Sequence, residues 1–221
     1  MEVLPLGDSA LLVRLANSAG VSDIRAASER IAALALPEVV ELVPAYNSIG
    51  VFYRDATLEE LKLRLEAALS TKQPASLESQ TPVRELEIAV CYDSEFALDL
   101  SDVAEHAGLS PEEVVQRHSS AEYIVSCVGF APGFPYLSGL PQELATPRRA
   151  SPRKEVPAGS VAIGGAQTGI YPQKSPGGWN IIGRTPLRLF DLEQQPPALL
   201  RAGDRVRFHA ISRAEFDATP R

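Results

Sequence analysis

The chain has few of the residues that usually build metal, redox or covalent catalytic sites. Its 221 residues include three histidines, two cysteines, one methionine and one tryptophan. Cys91 and Cys127 are not part of a CxxC pattern, so neither a disulfide framework nor a cysteine zinc site is indicated. No two histidines have the spacing of metal ligands on one element, and we expect no metal site.

Several classes of protein are also excluded by what is missing. No apolar run approaches the ~20 residues that span a bilayer, so we expect no membrane protein. The first residues lack the basic segment of a secretory signal, and the low cysteine count fits the cytoplasm. A net charge of -7 argues against a nucleic-acid partner. Walker phosphate loops, dinucleotide-binding loops, nucleophile elbows and HExxH motifs are all missing, so an enzyme site here must be unusual or completed by another chain.

Charge is distributed unevenly along the sequence. Residues 1–100 hold 8 basic and 16 acidic side chains, a net of 8 − 16 = −8. Residues 145–190 hold seven basic side chains and one acidic one. Such an excess in an acidic protein suggests a site for a small anion, the alternative being a solvated basic face.

The first part of the chain alternates strand and helix patterns, which favours an α+β fold. The predicted helices start at Ser22, as N-cap, and at Thr57, which forms a capping box with Glu60. With the predicted strands, the order is β-α-β-β-α-β, as in a ferredoxin-like domain. The strands are predicted over 11–15, 39–43, 49–53 and 85–90. We place this domain and a Ser- and Pro-rich linker in residues 1–82, and a second domain in 83–221.

The second domain begins with two short helices and then changes character. Ser101 and Ser110 are the predicted N-caps, and the second helix ends near His118. Residues 129–186 contain nine of the 18 prolines and ten of the 15 glycines, a density that excludes helices. Short strands between shaped loops predict an all-β barrel or sandwich.

One candidate pocket wall lies in the loop over residues 129–137. It interleaves aromatic rings with glycine and proline, and places Phe130, Pro132 and Phe134 close together in sequence. Such a loop can hold rigid walls around a ligand, or can be purely structural. Trp179, in a Gly-Pro loop, is either a stacking surface or a core side chain.

Polar candidates follow in the same glycine-rich part of the chain. Arg148 and Arg153 offer guanidinium groups for a carboxylate or phosphate, the alternative for both being surface solubility. Arg184 with Thr185 offers a second anion contact. His118 is the best-placed acid or base by position, although a hydrogen-bonded helix-end histidine is an equal alternative.

Residues 161–171 run from a strand into a glycine turn. Gly164 and Gly165 permit a close backbone approach to a ligand. Gln167 can donate and accept towards an amide or lactam, and Tyr171 adds a wall and a hydroxyl group. The alternative is a tight hairpin in which Gln167 pairs with the backbone.

These motifs carry a family resemblance. Residues 129–141 and 146–191 strongly resemble the allophanate-hydrolase-subunit-1 family, and the likeness extends to residues 7–15 and 199–208. That family includes KipI-type inhibitors of histidine kinases and the B subunit of the bacterial ATP-dependent 5-oxoprolinase. The resemblance implies an N-terminal α/β domain and a C-terminal cyclophilin-like β-barrel.

The resemblance also implies partners and a reaction. In this family a subunit-1 chain works with a subunit-2 chain, which is the C subunit of the oxoprolinase, and with a separate A subunit of the LamB/YcsF type. The implied reaction opens 5-oxo-L-proline to L-glutamate with ATP and Mg²⁺, the lactam oxygen being phosphorylated. Inhibition of a sensor histidine kinase and a carboxyltransferase role in urea carboxylation are the alternatives.

Under this resemblance, the candidate residues take roles. Arg148, Arg153 or Arg184 would hold the substrate carboxylate or ATP phosphates. Gln167 and Tyr171 would face the lactam, and His118 would move a proton.

Overall fold

The computed structural model describes residues 1–70 and 82–219. The chain divides into two compact units, Met1–Val83 and Arg84–Arg221. The predicted linker over 70–82 lies, apart from its ends, outside the described residues. Among the helices of the described ranges, none combines the length and apolarity needed to cross a bilayer.

The first unit is a four-stranded antiparallel sheet with two helices. Its strands are ordered β1-β2-β4-β3. In chain order the elements are β1 (Glu2–Pro5), β2 (Ala10–Arg14), α1 (Val21–Ala33), β3 (Val39–Ala45), β4 (Ser48–Tyr53) and α2 (Leu58–Ser70).

One apolar core joins the sheet and the helices of this unit. Alternate residues of the strands face the core, and the helices contribute residues spaced three or four apart. The buried members include Leu11, Val13, Ile24, Ile31, Ile49, Val51, Leu61 and Leu65. Both helices therefore cover the same face of the sheet.

The two helix starts test the capping predictions. α2 begins after Thr57, whose Oγ1 accepts a hydrogen bond from the Glu60 N–H at 3.4 Å, so this cap is confirmed. The N-cap of α1 is Gly20, and its N–H donates to the Asp23 carboxylate at 2.8 Å. The prediction of Ser22 as N-cap is wrong, because the acid at the third helical position serves the end of the helix instead.

The second unit is built around a β-barrel. In chain order its elements are β5 (Glu85–Cys91), α3 (Leu100–Ala107), α4 (Pro111–Ser120), β6 (Glu122–Val128), β7 (Pro135–Ser138), a 3₁₀ turn (Gln142–Leu144), β8 (Arg153–Val156), β9 (Ser160–Gly164), β10 (Gln167–Ile170), β11 (Ser175–Gly177), β12 (Asn180–Arg184), β13 (Arg205–Ile211) and α5 (Arg213–Ala218).

Seven strands close the barrel in the order β6-β13-β5-β12-β9-β10-β7, and β7 pairs back with β6. Only β5 and β13 of this set run parallel. β8 and β11 form a separate two-stranded ribbon. The mixed α/β class and the barrel are thereby confirmed, whereas the ferredoxin-like and cyclophilin-like descriptions of the two units stay predictions.

One strand differs from its prediction. The segment over 85–90 does form a strand, but β5 pairs with β13 and β12 of the barrel rather than completing the first sheet. In the first unit the hairpin strand β1 lies beside β2 instead. The alternating pattern of 85–90 indicates a strand and does not specify its partner.

Helices α3 and α4 belong to the barrel core. Val103 and Val114 are fully buried in one cluster with the interior residues Ile88, Val125 and Ile163. Ser110 caps α4 in a complete capping box with Glu113, as predicted. The N-cap of α3 is Asp99 rather than the predicted Ser101.

Candidate functional site

The candidate site lies on the outer face of the barrel sheet. Along β9, Val161 and Ile163 point into the barrel core, so Ala162 and Gly164 face outward. Five aromatic side chains, here called the aromatic cluster, lie in mutual contact with this face. They are Phe130, Phe134, Tyr136, Tyr171 and Trp179.

Edge-to-face contacts hold the aromatic cluster together. The ring centroid of Phe134 lies 5.6 Å from Trp179 and 5.1 Å from Tyr171, with interplanar angles of 86° and 83°. Tyr136 lies 5.7 Å from Trp179. These separations are those of favourable aromatic pairs, each of which adds about 0.5–1.5 kcal/mol beyond burial. The cluster is a second, smaller core outside the barrel.

Glycines allow the rings to lie directly on the strands. A Cβ atom on Gly164 would stand 2.5 Å from Cδ2 and 2.6 Å from Cγ of Trp179. A Cβ atom on Gly177 would stand 2.7 Å from Cζ of Tyr171. The close approach predicted at Gly164 is therefore made by the Trp179 ring.

Gly165 has a different role from Gly164. It stands in the turn between β9 and β10 with φ +64°, and nothing would lie within 4 Å of an added Cβ atom. Its N–H donates to the Thr146 carbonyl group at 2.8 Å. Gln167 lies opposite Gly164 in the hairpin register, as in the tight-hairpin alternative.

The members of the aromatic cluster differ in exposure. Trp179 and Tyr171 are 5% and 2% exposed, which favours the interpretation of Trp179 as a core side chain. Phe130 is 65% exposed and has φ +71°, an uncommon conformation for a bulky residue. Pro132 is also exposed. The loop thus holds Phe130 at the rim, in T-shaped contact with Phe134 and Tyr171.

Next to the aromatic cluster, a buried carboxylate binds two arginines. Asp99 is 1% exposed and accepts hydrogen bonds from Nη1 and Nη2 of Arg153, at 2.8 and 2.7 Å. It also accepts one from Arg149 Nη1 at 2.6 Å. This bidentate geometry uses both terminal nitrogens of Arg153, which sequence reasoning had assigned to an anionic ligand.

Arg148 is arranged differently. Its Cζ atom lies 5.8 Å from the centroid of the Trp179 ring, within the range of a cation–π contact. The side chain is exposed, and its guanidinium group makes no hydrogen bond or ion pair with the residues that the structure describes. Among the three arginines of residues 148–153, Arg148 is the one whose donors face solvent.

The two tyrosines beside Arg148 are protonated at neutral pH. Burial raises the pKa of Tyr136, and the positive charge of Arg148 opposes this rise. Burial also raises the pKa of Tyr171, which a hydrogen bond with the Trp179 backbone opposes. Both phenols are therefore polar hydrogen-bonding groups rather than bases.

His118 lies elsewhere, in the barrel core. Its Nδ1 is 2.8 Å from the Tyr92 hydroxyl and its Nε2 is 3.0 Å from Thr168 Oγ1. Because Thr168 Oγ1 also donates to the Ala162 carbonyl group, it accepts from Nε2–H, and Tyr92 donates to Nδ1. Burial lowers the pKa of His118 from 6.5 to about 3. The structure favours the hydrogen-bonded structural histidine over the acid or base.

Arg184 and Thr185 are also separate from the aromatic cluster. They follow Trp179 by five and six residues at the other end of β12, roughly 17 Å away in extended chain. Arg184 donates to the Ala158 carbonyl group at 2.9 Å and lies over the Phe96 ring. Thr185 is buried and its Oγ1 accepts from the Leu187 N–H.

Sequence reasoning missed two residues of this region. Tyr136 lies in the loop motif over 129–137, but strand β7 was needed to show it beside Trp179. Asp99 carried no signal beyond an acidic residue ahead of a helix.

Within residues 1–70 and 82–219, no group of three or more His, Cys, Asp or Glu residues is placed to hold a metal ion.

The family comparison covers most of the chain. The family model described as the carboxyltransferase domain, subdomains C and D, matches residues 1–200. The 5-oxoprolinase B subunit of Bacillus subtilis (strain 168) is 41% identical, over 98% of this chain and 95% of its own. The 5-oxoprolinase B subunit of Escherichia coli O157:H7 is 50% identical, over 78% of each chain.

Solved structures share the fold. The crystal structure of TTHA0988 matches with a TM-score of 0.76 at 38% identity, over 92% of this chain and 40% of that one. This chain therefore spans less than half the length of that protein. The Kluyveromyces lactis urea carboxylase matches with a TM-score of 0.74 at 19% identity, over 97% of this chain and 22% of that one, which shows a common fold.

Proposed function

The chain belongs to the family of the carboxyltransferase domain, subdomains C and D, and we propose that it is the B subunit of an ATP-dependent 5-oxoprolinase. The support is that relatives 41% and 50% identical over most of this chain carry that name. In this proposal the complex opens 5-oxo-L-proline to L-glutamate in the cytoplasm, where ATP is available.

The observation that carries a substrate role for this chain is the position of Arg148. 5-Oxoproline is a small ring with one carboxylate and one lactam group. An exposed guanidinium over an aromatic ring matches the carboxylate, and the rim ring of Phe130 matches the apolar face of the substrate. Gln167, opposite Gly164 on the outer face, is the proposed lactam contact.

The geometry leaves fewer of the predicted arginines available to bind the substrate carboxylate. Arg153 is bound by Asp99, and Arg184 lies over Phe96 at the far end of β12. We therefore restrict the proposed carboxylate contact to Arg148. Tyr171 serves as a buried wall whose ring supports Phe130.

ATP and Mg²⁺ are proposed for the complex rather than for this chain alone. The described residues offer no cluster of carboxylates or histidines for the metal, and the sequence has no Walker-type loop. ATP supplies the phosphoryl group that activates the lactam. This chain would bind and orient 5-oxoproline and shield it from water, while the C and A subunits would complete the site.

A coupled assay tests the proposal. The chain is co-expressed with the C and A subunits of its system, and ADP and glutamate are measured with and without 5-oxoproline. ATP hydrolysis that requires both 5-oxoproline and this chain is the expected result. A stable complex without turnover would contradict the proposal, and turnover of urea with carboxybiotin would replace it.

The role of Arg148 is tested in the same assay. Arg148→Gln should raise KM for 5-oxoproline by roughly tenfold to a hundredfold, the usual loss for a hydrogen bond to a charged group. Arg188→Gln is the control, because Arg188 is also exposed but its guanidinium group pairs with Asp191. Equal kinetics of the two variants would remove Arg148 from the site.

The rim position of Phe130 gives a second test. Phe130→Ala should lower kcat/KM about tenfold or more through the lost apolar contact with the substrate, and should cost about 1 kcal/mol of stability through the lost T-shaped contacts with Phe134 and Tyr171. Leu192→Ala is the control, since Leu192 is 80% exposed. Unchanged kcat/KM in Phe130→Ala would refute a substrate contact.

A further inference from the structure

Asp99 stands at the N-cap of α3 but does not cap the helix. Its side chain makes no capping hydrogen bond. Instead its carboxylate accepts from the Ile181 N–H at 2.7 Å, while its own N–H donates to the Ile181 carbonyl group at 2.8 Å. This reciprocal pair joins α3 to β12, two residues after Trp179. The Asp99 carboxylate therefore binds the backbone of β12 instead of capping α3.

The Asp99 carboxylate also neutralises two of the three neighbouring guanidinium groups. Asp99 receives three hydrogen bonds from Arg149 and Arg153. Removing the carboxylate would leave two cations with one another and with the exposed Asp102, 3.9 Å from Arg149. Breaking a buried ion pair in this way leaves two adjacent guanidinium groups without their buried counter-charge, so that they repel each other.

Arg148 lies between two anchored residues. The Pro147 carbonyl group accepts a hydrogen bond from Asn180 Nδ2 at 2.9 Å, and the Arg149 N–H donates to the Gly178 carbonyl group at 2.8 Å. Asn180 is 5% exposed and also donates to the Ile163 carbonyl group at 3.2 Å. The backbone on both sides of Arg148 is thus fixed to the segment that carries Trp179.

We propose that Asp99 and Asn180 are positioning residues that present Arg148, beside Trp179, as the binding group for one small anion, a carboxylate or a phosphate. Asp99 neutralises the neighbouring arginines, and Asn180 holds the loop, so that a single guanidinium group remains available in a fixed place. Such preorganisation improves binding by reducing the ordering cost. Identification of the anion as the carboxylate of 5-oxoproline rests on the proposed function, whereas anion binding itself does not.

The single tryptophan makes the proposal measurable in the full-length chain. Trp179 is the only fluorophore of its kind, and Arg148 lies over its ring. The probes are 5-oxoproline and inorganic phosphate, titrated separately against tryptophan emission. We expect a saturable change with at least one probe, lost in Arg148→Gln and retained in Arg188→Gln. Phosphate alone would identify a phosphate subsite, and 5-oxoproline alone a carboxylate subsite.

Asp204 supplies a matched control for Asp99. It is 2% exposed, binds Arg84 through two hydrogen bonds, and accepts from the Arg201 N–H at 2.9 Å. Asp99→Asn and Asp204→Asn therefore remove the same kind of buried carboxylate from one domain. We expect both to lower the Tm, but only Asp99→Asn to weaken anion binding, by roughly tenfold or more.

If Asp99→Asn does not fold, Arg149→Gln tests the ion pair with Asp99 from the other side. The Arg149 side chain is about one-third exposed, so its replacement should be tolerated. It should weaken anion binding while leaving the fold intact. Equal binding constants for the Asp99 and Asp204 variants, unaltered binding in Arg149→Gln, or no emission change in the wild type would overturn the proposal. Anion binding that depends on Arg148 without oxoprolinase turnover in the complex would retain this proposal and reject the proposed function.

Discussion

Replacing Gly164 with alanine is the sharpest test of how the aromatic cluster is built. The added methyl group would stand 2.5–2.6 Å from two Trp179 ring atoms, whereas carbon atoms normally approach to roughly 3.5–4.0 Å. The ring must therefore move by about 1 Å. Gly164 is on a strand and fully enclosed by the barrel and the ring, so neither side has free space to accommodate the change.

The cost can be bounded from these contacts. Overpacking of a well-filled core costs typically about 1–3 kcal/mol, and displaced rings lose their edge-to-face pairs. Replacing glycine by alanine also lowers the conformational entropy of the unfolded chain, which stabilises the folded state by about 0.4–1 kcal/mol. We expect a net loss of about 2 kcal/mol in the free energy of unfolding.

Denaturant unfolding followed by circular dichroism measures this loss, and the emission of Trp179 reports the ring itself. In Gly164→Ala the emission should shift to the red as the displaced ring meets water. Gly129→Ala is the control, because nothing lies within 4 Å of its added methyl group. An unchanged midpoint and emission in Gly164→Ala would refute the argument that this glycine exists to seat the tryptophan.

Two further predictions concern stability. His118 has a pKa of about 3 when folded and about 6.5 when unfolded, so its contribution is complete above pH 6.5 and is lost as the pH falls towards 3, by up to about 3 kcal/mol at pH 4.5. Tm measured between pH 4.5 and 7 should fall more steeply in the wild type than in His118→Gln, and parallel curves would contradict this. Ser110→Ala should cost about 1 kcal/mol and Thr57→Ala less, because Ser110 belongs to a complete capping box with Glu113 and serine is a stronger N-cap than threonine. Urea midpoints in the reverse order would refute the comparison.

Local chemistry made part of this fold predictable. Ser110, Pro111 and Glu113 mark a helix start through contacts three residues apart, and the structure has that start. The density of glycine and proline over 129–186 indicates strands and loops, and the barrel strands occur there. Such features depend on neighbours in sequence, so one sequence contains the evidence for them.

The pairing of distant segments was not predictable in the same way. The strand over 85–91 has a clear alternating pattern, yet its partner β13 is more than 110 residues away. Asp99 binds arginines 50 and 54 residues away, and it does so from the N-cap position of α3, where the sequence predicts Ser101. Side-chain type indicates what a residue can bind, while the closure of the barrel decides what it meets.

The excess positive charge over 145–190 shows this distinction most directly. Seven basic side chains against one acid suggest a broad cationic face. In space, acidic partners from inside and outside the segment pair with four of these side chains. These ion pairs are Arg149 and Arg153 with Asp99, Lys174 with Glu155, and Arg188 with Asp191.

The positive charge that is available to a ligand is smaller than the sequence suggests. Arg184 is directed to the Ala158 carbonyl group and the Phe96 ring, away from the aromatic cluster. Arg148 alone of the seven lies over a ring of the aromatic cluster, between two backbone anchors. A single fixed guanidinium suits one small anion rather than a polyanion, because a polyanion gains affinity from many phosphate contacts. Among the guanidinium groups of this segment, the structure therefore leaves Arg148 as a one-residue hypothesis that a single substitution can test.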